Sequence, residues 1–509
     1  MFVSKQQQVQ AQSNLQRQVE MPGAPGEALA EPRDHKRKVA LFVAHGMGQQ
    51  VPFETMDCVA AGLMRIARKG GKPAAAIRAE TCLVGGQKLQ RIELDLRDEH
   101  DQPLEVHVYE GYWAPVTEGQ VRIMDVMSFL LRGGFNGMRN AWKDFHRWMF
   151  GGAVNFGKQP RTGIFLTIAS VAVISLIAAN FLVTVMFADR LAARLKDMSG
   201  GAIFADQKFT ALTTLVAGWV IYSVAIGALL YLAHRVRGRV WTLPLGVLLW
   251  GWVAYTIALG VVPPLALLGW IDVEAFGFQF FNTWSVPVWI ALLVVSYVLR
   301  GVMIQFPGDV AAYISTHTLD RFQEIRTKIK ESVGKVAKAI YASDEYEGVV
   351  WVGHSLGSVV VYDALNALIM DDELARKPAR AVERTRLLVT FGSPLDKIAF
   401  IFGAQLADAK TRDALAASFQ PLILDYDKFR NIPWVNIWSP ADIISGHLDF
   451  FDDPRQAGNR KVENVIDEQA TTPLMAHVEY WKNDLLFERM YQGIVREDVA
   501  VAGIRKVGG

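Results

Sequence analysis

Charged residues are almost absent from one long part of the chain, between about residues 162 and 304. Four windows there contain no Asp, Glu, Lys or Arg: 162–188, 209–234, 240–271 and 275–299. Each window is longer than the roughly 20 residues that a helix needs to cross a hydrocarbon core. The sequence therefore predicts four membrane-spanning helices, at about 163–187, 210–232, 240–265 and 280–299.

No excess of either charge is present, since 53 Lys and Arg residues face 51 Asp and Glu residues. This balance indicates no nucleic-acid partner. The predicted spans also lack ionisable Asp, Glu, Lys and Arg side chains, which transporters and channels usually need along their path. The spans are therefore expected to anchor the protein as an integral membrane protein rather than to move a solute.

The loop charges predict the orientation of the spans. Arg235, Arg237 and Arg239 lie between the second and third spans, whereas Asp272 and Glu274 lie between the third and fourth. Cytosolic loops carry the excess of Lys and Arg, so both large flanks of the insertion are expected in the cytosol. The loop 189–208 disagrees, because it also contains several basic residues.

Cysteine is rare, and no secretory signal opens the chain. Cys58 and Cys82 are the two cysteines, which exclude a disulfide framework and suggest no metal site. Residues 1–35 are rich in Gln, Glu, Pro and Ala and predict a disordered tail. The remainder of the chain is expected to stay in a reducing, cytosolic compartment.

A short motif in the C-terminal part indicates nucleophilic chemistry. The apolar run 348–353 predicts a buried strand, His354-Ser355-Leu356 follows it, and 357–370 predicts an apolar helix. Strand, sharp turn and helix around G-x-S-x-G form a nucleophile elbow, which presents a serine hydroxyl above the edge of a sheet. Ser355 is therefore the candidate nucleophile.

An earlier strand, predicted over 39–43, ends in His45-Gly46-Met47-Gly48. This loop resembles the HG-x-G oxyanion loop of lipases and esterases. By that resemblance the backbone N–H groups of Met47 and Leu356 form the oxyanion hole. A plain glycine turn after a strand is the alternative.

The acid and the base of a triad should follow in that order. The strand predicted over 434–438 leads to Asp442, the preferred acid, whereas Asp396 after the strand 387–391 is the alternative. Two histidines lie beyond Ser355, namely His447 and His477. His477 is preferred as the base because it follows a further predicted strand, 461–466, and stands in an H-x-x-Y-W context that resembles lipase-like hydrolases.

These motifs resemble the α/β-hydrolase superfamily, in particular lipase-like and GPI-inositol-deacylase-like serine esterases. The resemblance covers roughly 36–155 and 305–509 and implies an α/β fold, a mostly parallel sheet with flanking helices, interrupted at 156–304 by the four spans. It implies hydrolysis of a lipid or other acyl ester through Ser355, Asp442 and His477, with no cofactor and no metal. An amidase or thioesterase with the same triad, and an inactive membrane scaffold, are the alternatives.

Two further helices are predicted beside the insertion. Met138–Phe150 interleaves basic and aromatic residues, so it is either a juxtamembrane helix in the headgroup layer or an ordinary surface helix. Residues 309–343 repeat apolar positions at three- to five-residue spacing and predict one or two amphipathic helices that pack on the sheet. The sequence does not indicate whether the protein is a monomer or an oligomer.

Overall fold

The structure is a computed structural model. It describes residues 37–48, 50–71, 77–118, 120, 123–142, 145–149, 152–156, 162–164, 167–168, 170–175, 207–236, 242–267, 269–271, 320–376, 378–398, 432–451, 462–473 and 475–496. The predicted tail 1–35 and the predicted fourth span 280–299 lie outside these residues. The predicted first span, 163–187, falls within them only up to Ser175.

Ten strands are described. They are β1 Arg37–Ala44, β2 Ile77–Val84, β3 Gln87–Arg97, β4 Pro103–Glu110, β5 Phe145–Met149, β6 Gly152–Phe156, β7 Gly348–His354, β8 Thr385–Phe391, β9 Trp434–Trp438 and β10 Val462–Ile466. Eight of them form one sheet in the order β10-β9-β8-β7-β1-β4-β3-β2, and β5 pairs with β6 separately.

The large sheet is mostly parallel. The strands from β10 through β9, β8, β7 and β1 to β4 pair in parallel, while β3 runs antiparallel to both β4 and β2. Strand β7 is buried along its whole length, as the apolar run 348–353 predicted. Because the parallel strands end at one edge, the loops after β1, β7, β8, β9 and β10 meet there.

Helical segments occur at 395–398 and in the described parts of 162–175, and ten further helices are numbered. They are α1 Glu54–Lys69, α2 Ala114–Thr117, α3 Ile123–Asn140, α4 Gln207–Val236, α5 Thr242–Leu267, α6 Asp320–Ala342, α7 Leu356–Leu374, α8 Ala381–Arg384, α9 Ala476–Glu479 and α10 Asp484–Val495. Two short 3₁₀ turns add Asp449–Phe451 and Tyr480–Lys482.

Helices cover both faces of the sheet, which therefore borders two apolar cores. One core joins alternate residues of β1, such as Phe42, to α6 and α7. The other joins the remaining β1 residues, such as Leu41, to α1 and α10. This alternation follows from the period of two along a strand. The α/β class and the strands predicted around the candidate site are confirmed, and α6 confirms the amphipathic helix over 320–342.

The basic aromatic helix predicted over Met138–Phe150 is wrong. Helix α3 ends at Asn140, and Phe145–Met149 instead forms β5, which pairs antiparallel with β6. Aromatic residues favour a strand, and two glycines at 151–152 disfavour continuing a helix. The first half of the predicted catalytic domain therefore ends in a hairpin.

A four-helix membrane insertion is also not what the structure shows. Among the described residues one helix is long and apolar enough to cross a membrane, Leu243–Val262 within α5, and most of it is exposed. Helix α4 covers the second predicted span, but its apolar stretch Ile221–Ala233 is shorter than the roughly 20 residues required. The fourth predicted span and most of the first lie outside the described residues, so only the second and third windows can be compared with complete described helices.

Candidate active site

Ser355 lies at the sharp turn between β7 and α7, as an elbow requires. Its backbone has φ 51° and ψ −129°, a conformation that side-chain-bearing residues rarely adopt. Two close approaches hold this turn. A Cβ on Gly353 would lie 2.6 Å from Ser358 Cα, and a Cβ on Gly357 would lie 2.5 Å from Ala44 O. Only glycine fits at either position, so the sequence G-x-S-x-G follows directly from the packing.

The loop after β1 touches the elbow from the other side. A Cβ on Gly46 would lie 2.9 Å from Ser355 Cβ, so the backbone of this loop passes directly beside the nucleophile. Leu356 is the first residue of α7, and the N–H of a first helical residue has no acceptor within its own helix. Met47 and Leu356 are both buried and belong to the same apolar core. The predicted oxyanion loop thus reaches the predicted nucleophile.

His45 fixes the position of this loop. Its Nδ1–H donates to Gly46 O at 2.8 Å, and its Nε2 accepts the Trp113 N–H at 3.1 Å. The Trp113 indole N–H donates back to His45 O at 3.2 Å, and the two rings stack. A ring that donates at Nδ1 and accepts at Nε2 is neutral.

Asp442 and His477 form a hydrogen-bonded pair beyond the ends of β9 and β10. His477 Nδ1–H donates to Asp442 Oδ2 at 2.9 Å, and the carboxylate is almost completely buried. Asp442 Oδ1 accepts the Ile444 N–H at 2.9 Å. Because Nδ1 carries the proton, Nε2 of a neutral His477 ring is left with a free lone pair.

The alternative acid and base lie elsewhere. Asp396 packs against Gly446, where a Cβ would lie 2.8 Å from its Cγ, and Lys397 is its neighbouring cation. His447 pairs with Asp449 at 2.6 Å. The structure therefore brings Asp442 to His477 and leaves both alternatives in other contacts.

Three residues beside the pair were not predicted from the sequence. Tyr480 donates its hydroxyl to Asp442 Oδ2 at 3.0 Å, so this oxygen accepts two hydrogen bonds. His354 donates from Nε2 to His477 O at 2.9 Å, and its ring lies 4.9 Å from the His477 ring. Gly392, with φ 57°, passes so close to His477 that a Cβ would lie 3.2 Å from Cε1. Tyr480 lies three residues after His477, a helical spacing that could have indicated it.

The surroundings keep Asp442 ionised and the tyrosine neutral. Burial alone would raise the pKa of Asp442, but hydrogen bonds from His477, Ile444 and Tyr480 outweigh it and lower this pKa below its usual value. Burial and the nearby Asp442 charge raise the pKa of Tyr480. Tyr480 is therefore a permanent donor to the carboxylate.

Ser355 Oγ and His477 Nε2 are both buried and have no hydrogen-bond partner among the described residues. Residues next to Ser355 and His477 in sequence link the two segments. The Ser355 N–H donates to the carbonyl oxygen of Phe391, which precedes Gly392, and the His354 ring packs on the His477 ring. Buried polar atoms are normally bonded, and unsatisfied ones require an explanation. Among the described residues, the two atoms therefore make no hydrogen bond with each other or with any other group.

Possible metal ligands lie away from these residues. The described part of the chain contains two such clusters, which share Glu93. One consists of Glu93, Glu105 and His107 on β3 and β4, and the other of Glu80, Cys82 and Glu93. Glu93 is paired with Arg91, and His107 is hydrogen-bonded to Glu105 at 2.7 Å. This network satisfies its own charges without an ion.

Two buried neutral histidines make stability depend on pH. Burial lowers the pKa of His354 to about 3 and that of His45 to about 4, from 6.5. Between these values and 6.5 the unfolded chain binds more protons, so stability falls as pH decreases. We expect each histidine to reduce the free energy of unfolding by ~2 kcal/mol between about pH 8 and about pH 5. Denaturant midpoints at both pH values check this, and His354→Gln should reduce the difference by the ~2 kcal/mol that His354 contributes; an unchanged difference would contradict it.

Comparisons of the chain with models of protein families, with curated proteins and with solved structures find no match.

Proposed function

We propose that the protein is a membrane-anchored serine hydrolase that cleaves carboxylic esters of lipids. The observation that carries this proposal is the buried Asp442–His477 pair, whose free Nε2 lies among the same loops as the unpartnered hydroxyl of Ser355. Acyl transfer through a covalent intermediate requires a nucleophile, a base and an acid that fixes the tautomer of the base. Ser355 at the elbow, His477 and Asp442 are the candidates for these roles.

The residues act in a defined sequence. His477 Nε2 takes the proton of Ser355 Oγ as this oxygen attacks the ester carbonyl carbon, and Asp442 stabilises the imidazolium. The N–H groups of Met47 and Leu356 bind the oxyanion. When the intermediate collapses, the ester C–O bond breaks and His477 returns the proton to the leaving alcohol. Water then cleaves the acyl-enzyme with His477 as base, which releases the carboxylic acid and restores Ser355.

The α/β-hydrolase fold and the membrane anchor belong to the same proposal. Its support is the parallel arrangement of β1, β7, β8, β9 and β10, whose ends carry the oxyanion loop, nucleophile, acid and base in chain order. Helix α5 supports the anchor. The three arginines before α5 favour a cytosolic position for the hydrolase loops. These features make a lipid at the cytosolic leaflet the expected substrate.

A fluorophosphonate probe tests the nucleophile directly, because it reacts only with an activated serine. We expect rapid labelling of the full-length protein in membranes and none of Ser355→Ala. Ser358→Ala is the matched control: it removes another buried hydroxyl one turn further along α7, which donates to Gly353 O at 2.8 Å. This variant should still be labelled.

The labelling pattern also separates the enzyme from a catalytically inactive scaffold. A wild-type protein that is not labelled, while other serine hydrolases in the same membranes are, would contradict the proposal. Equal labelling of wild type and Ser355→Ala would contradict the choice of nucleophile.

A further inference from the structure

A cavity of about 620 Å³ lies between the apolar helix α5 and the loops that follow β9 and β10. Gly246, Trp250 and Val253 line it on the helix side, and Ala441 and Ile443 line it on the acid loop. Its volume is within the range of about 300–1,000 Å³ that is typical of ligand sites. The cavity therefore adjoins the segment that carries Asp442, on the side that faces the helix.

The walls of the cavity offer apolar surface. Polar groups in the two loops bond to each other: Ser439 donates its hydroxyl to Ala470 O at 2.6 Å, and Asp467 accepts from Asn483 at 2.8 Å. Ile443 and Ile466, in contrast, are each 49% exposed at the cavity. Most of the other lining residues are apolar, and Asp467 and Glu468 are the two charged ones. A largely apolar site is matched to a hydrocarbon ligand.

The position along α5 indicates the depth of the site in a bilayer. The lining residues of α5 begin four residues after Thr242 and end eleven residues after it. At 1.5 Å per residue they lie about 6 to 17 Å from the start of the helix. With the basic end of α5 at the cytosolic surface, this depth matches one leaflet of a hydrocarbon core that is about 30 Å thick.

We infer that the cavity binds one acyl chain of a membrane lipid drawn from the cytosolic leaflet. This inference rests on the proposed function, for which it specifies a long-chain substrate. The chain lies between α5 and the loop that carries Asp442, next to Ala441 and Ile443. A second helix from another copy of the protein, or detergent, are the competing occupants.

Gly246 permits a clean test. A Cβ built there meets no atom of the described residues within 4 Å, so Gly246→Phe fills the cavity without displacing the backbone. Gly227 on α4 is a matched control, since its Cβ position is equally open and Gly227 does not line the cavity. Both variants add the same ring to an exposed face of an apolar helix.

The binding test uses Ser355→Ala protein, full length in detergent micelles, and a photoreactive palmitic acid with a diazirine on its chain. We expect crosslinks within 246–253 and 439–443, and weaker labelling with an octanoic acid analogue. Because each buried methylene improves affinity about fourfold, displacing two should lower labelling about tenfold or more in Gly246→Phe. Gly227→Phe should label like the parent.

The outcomes separate the two proposals. Two results would overturn the cavity assignment. One is crosslinking that is spread evenly over exposed helix faces and is unchanged by Gly246→Phe, and the other is crosslinking between two copies of the chain. They would leave fluorophosphonate labelling of wild-type Ser355 intact. A protein that crosslinks the fatty acid within the cavity but never reacts with fluorophosphonate would retain the lipid site and lose the hydrolase proposal.

Discussion

We expect Asp442→Asn to lower kcat/KM for ester hydrolysis by about 10⁴-fold and Asp396→Asn to leave it nearly unchanged. The two substitutions are chemically identical, and both residues follow a strand of the same sheet. They differ in what the structure places beside them. Asp442 accepts the His477 Nδ1–H, and Asp396 packs against Gly446.

The size of the Asp442 effect follows from the tautomer of His477. An amide at position 442 can present its NH₂ group to Nδ1, which then becomes the acceptor, so the proton moves to Nε2. A ring protonated at Nε2 cannot take the proton of Ser355. The negative charge that stabilises the imidazolium is lost as well. The Tyr480 hydroxyl keeps a partner at position 442, so the fold should be retained.

Initial rates on a soluble short-chain ester measure the effect in purified protein. Circular dichroism and the unfolding midpoint check that both variants are folded. Equal losses in Asp442→Asn and Asp396→Asn, or a loss confined to Asp396→Asn, would contradict the assignment of the acid. The pair His477→Gln and His447→Gln repeats the comparison for the base.

The elements that carry the site could be predicted because their signals are local. Strand β7 is a continuous apolar run, and Gly353 and Gly357 flank Ser355 since their Cβ atoms would collide with neighbouring backbone. The sequence favoured Asp442 over Asp396 but left both open. Both follow a strand and a turn, and only the long-range contact with His477 distinguishes them.

Other features depend on contacts between residues that are far apart in the sequence. Strand β1 pairs with β4 and β7, which are distant in sequence, and β2 lies at the far edge of the sheet. His354 occupies the variable position of the elbow motif, yet its hydrogen bond reaches His477 O, 123 residues away. The hairpin of β5 and β6 replaced a predicted helix because the spacing of basic residues there fits a helix while the aromatic residues favour a strand.

The nucleophile, the oxyanion loop and the base are held by one set of backbone contacts. Gly46 lies against Ser355, Gly357 lies against Ala44 O, and Gly392 lies against His477. Gly357 faces backbone oxygens, whereas Gly46 and Gly392 face the side chains of Ser355 and His477 themselves. The geometry of the site is therefore expected to respond sharply to a single added methyl group.

Gly357→Ala should strongly damage both stability and the candidate site. Its Cβ would lie 2.5 Å from Ala44 O, so either the start of α7 or the end of β1 must move. We expect a loss of about 3 kcal/mol in the free energy of unfolding and a complete loss of fluorophosphonate labelling. Both follow from one displacement, because the elbow and the oxyanion loop share this contact.

Gly334→Ala in α6 is the matched control. A Cβ there meets no atom of the described residues within 4 Å, and alanine favours a helix over glycine, so this variant should gain up to about 1 kcal/mol. Thermal unfolding of detergent-solubilised protein, followed together with the labelling rate, measures both variants. If Gly357→Ala unfolds at the wild-type temperature and is labelled at the wild-type rate, the close approach of β1 to the elbow is wrong, and with it the proposed oxyanion hole.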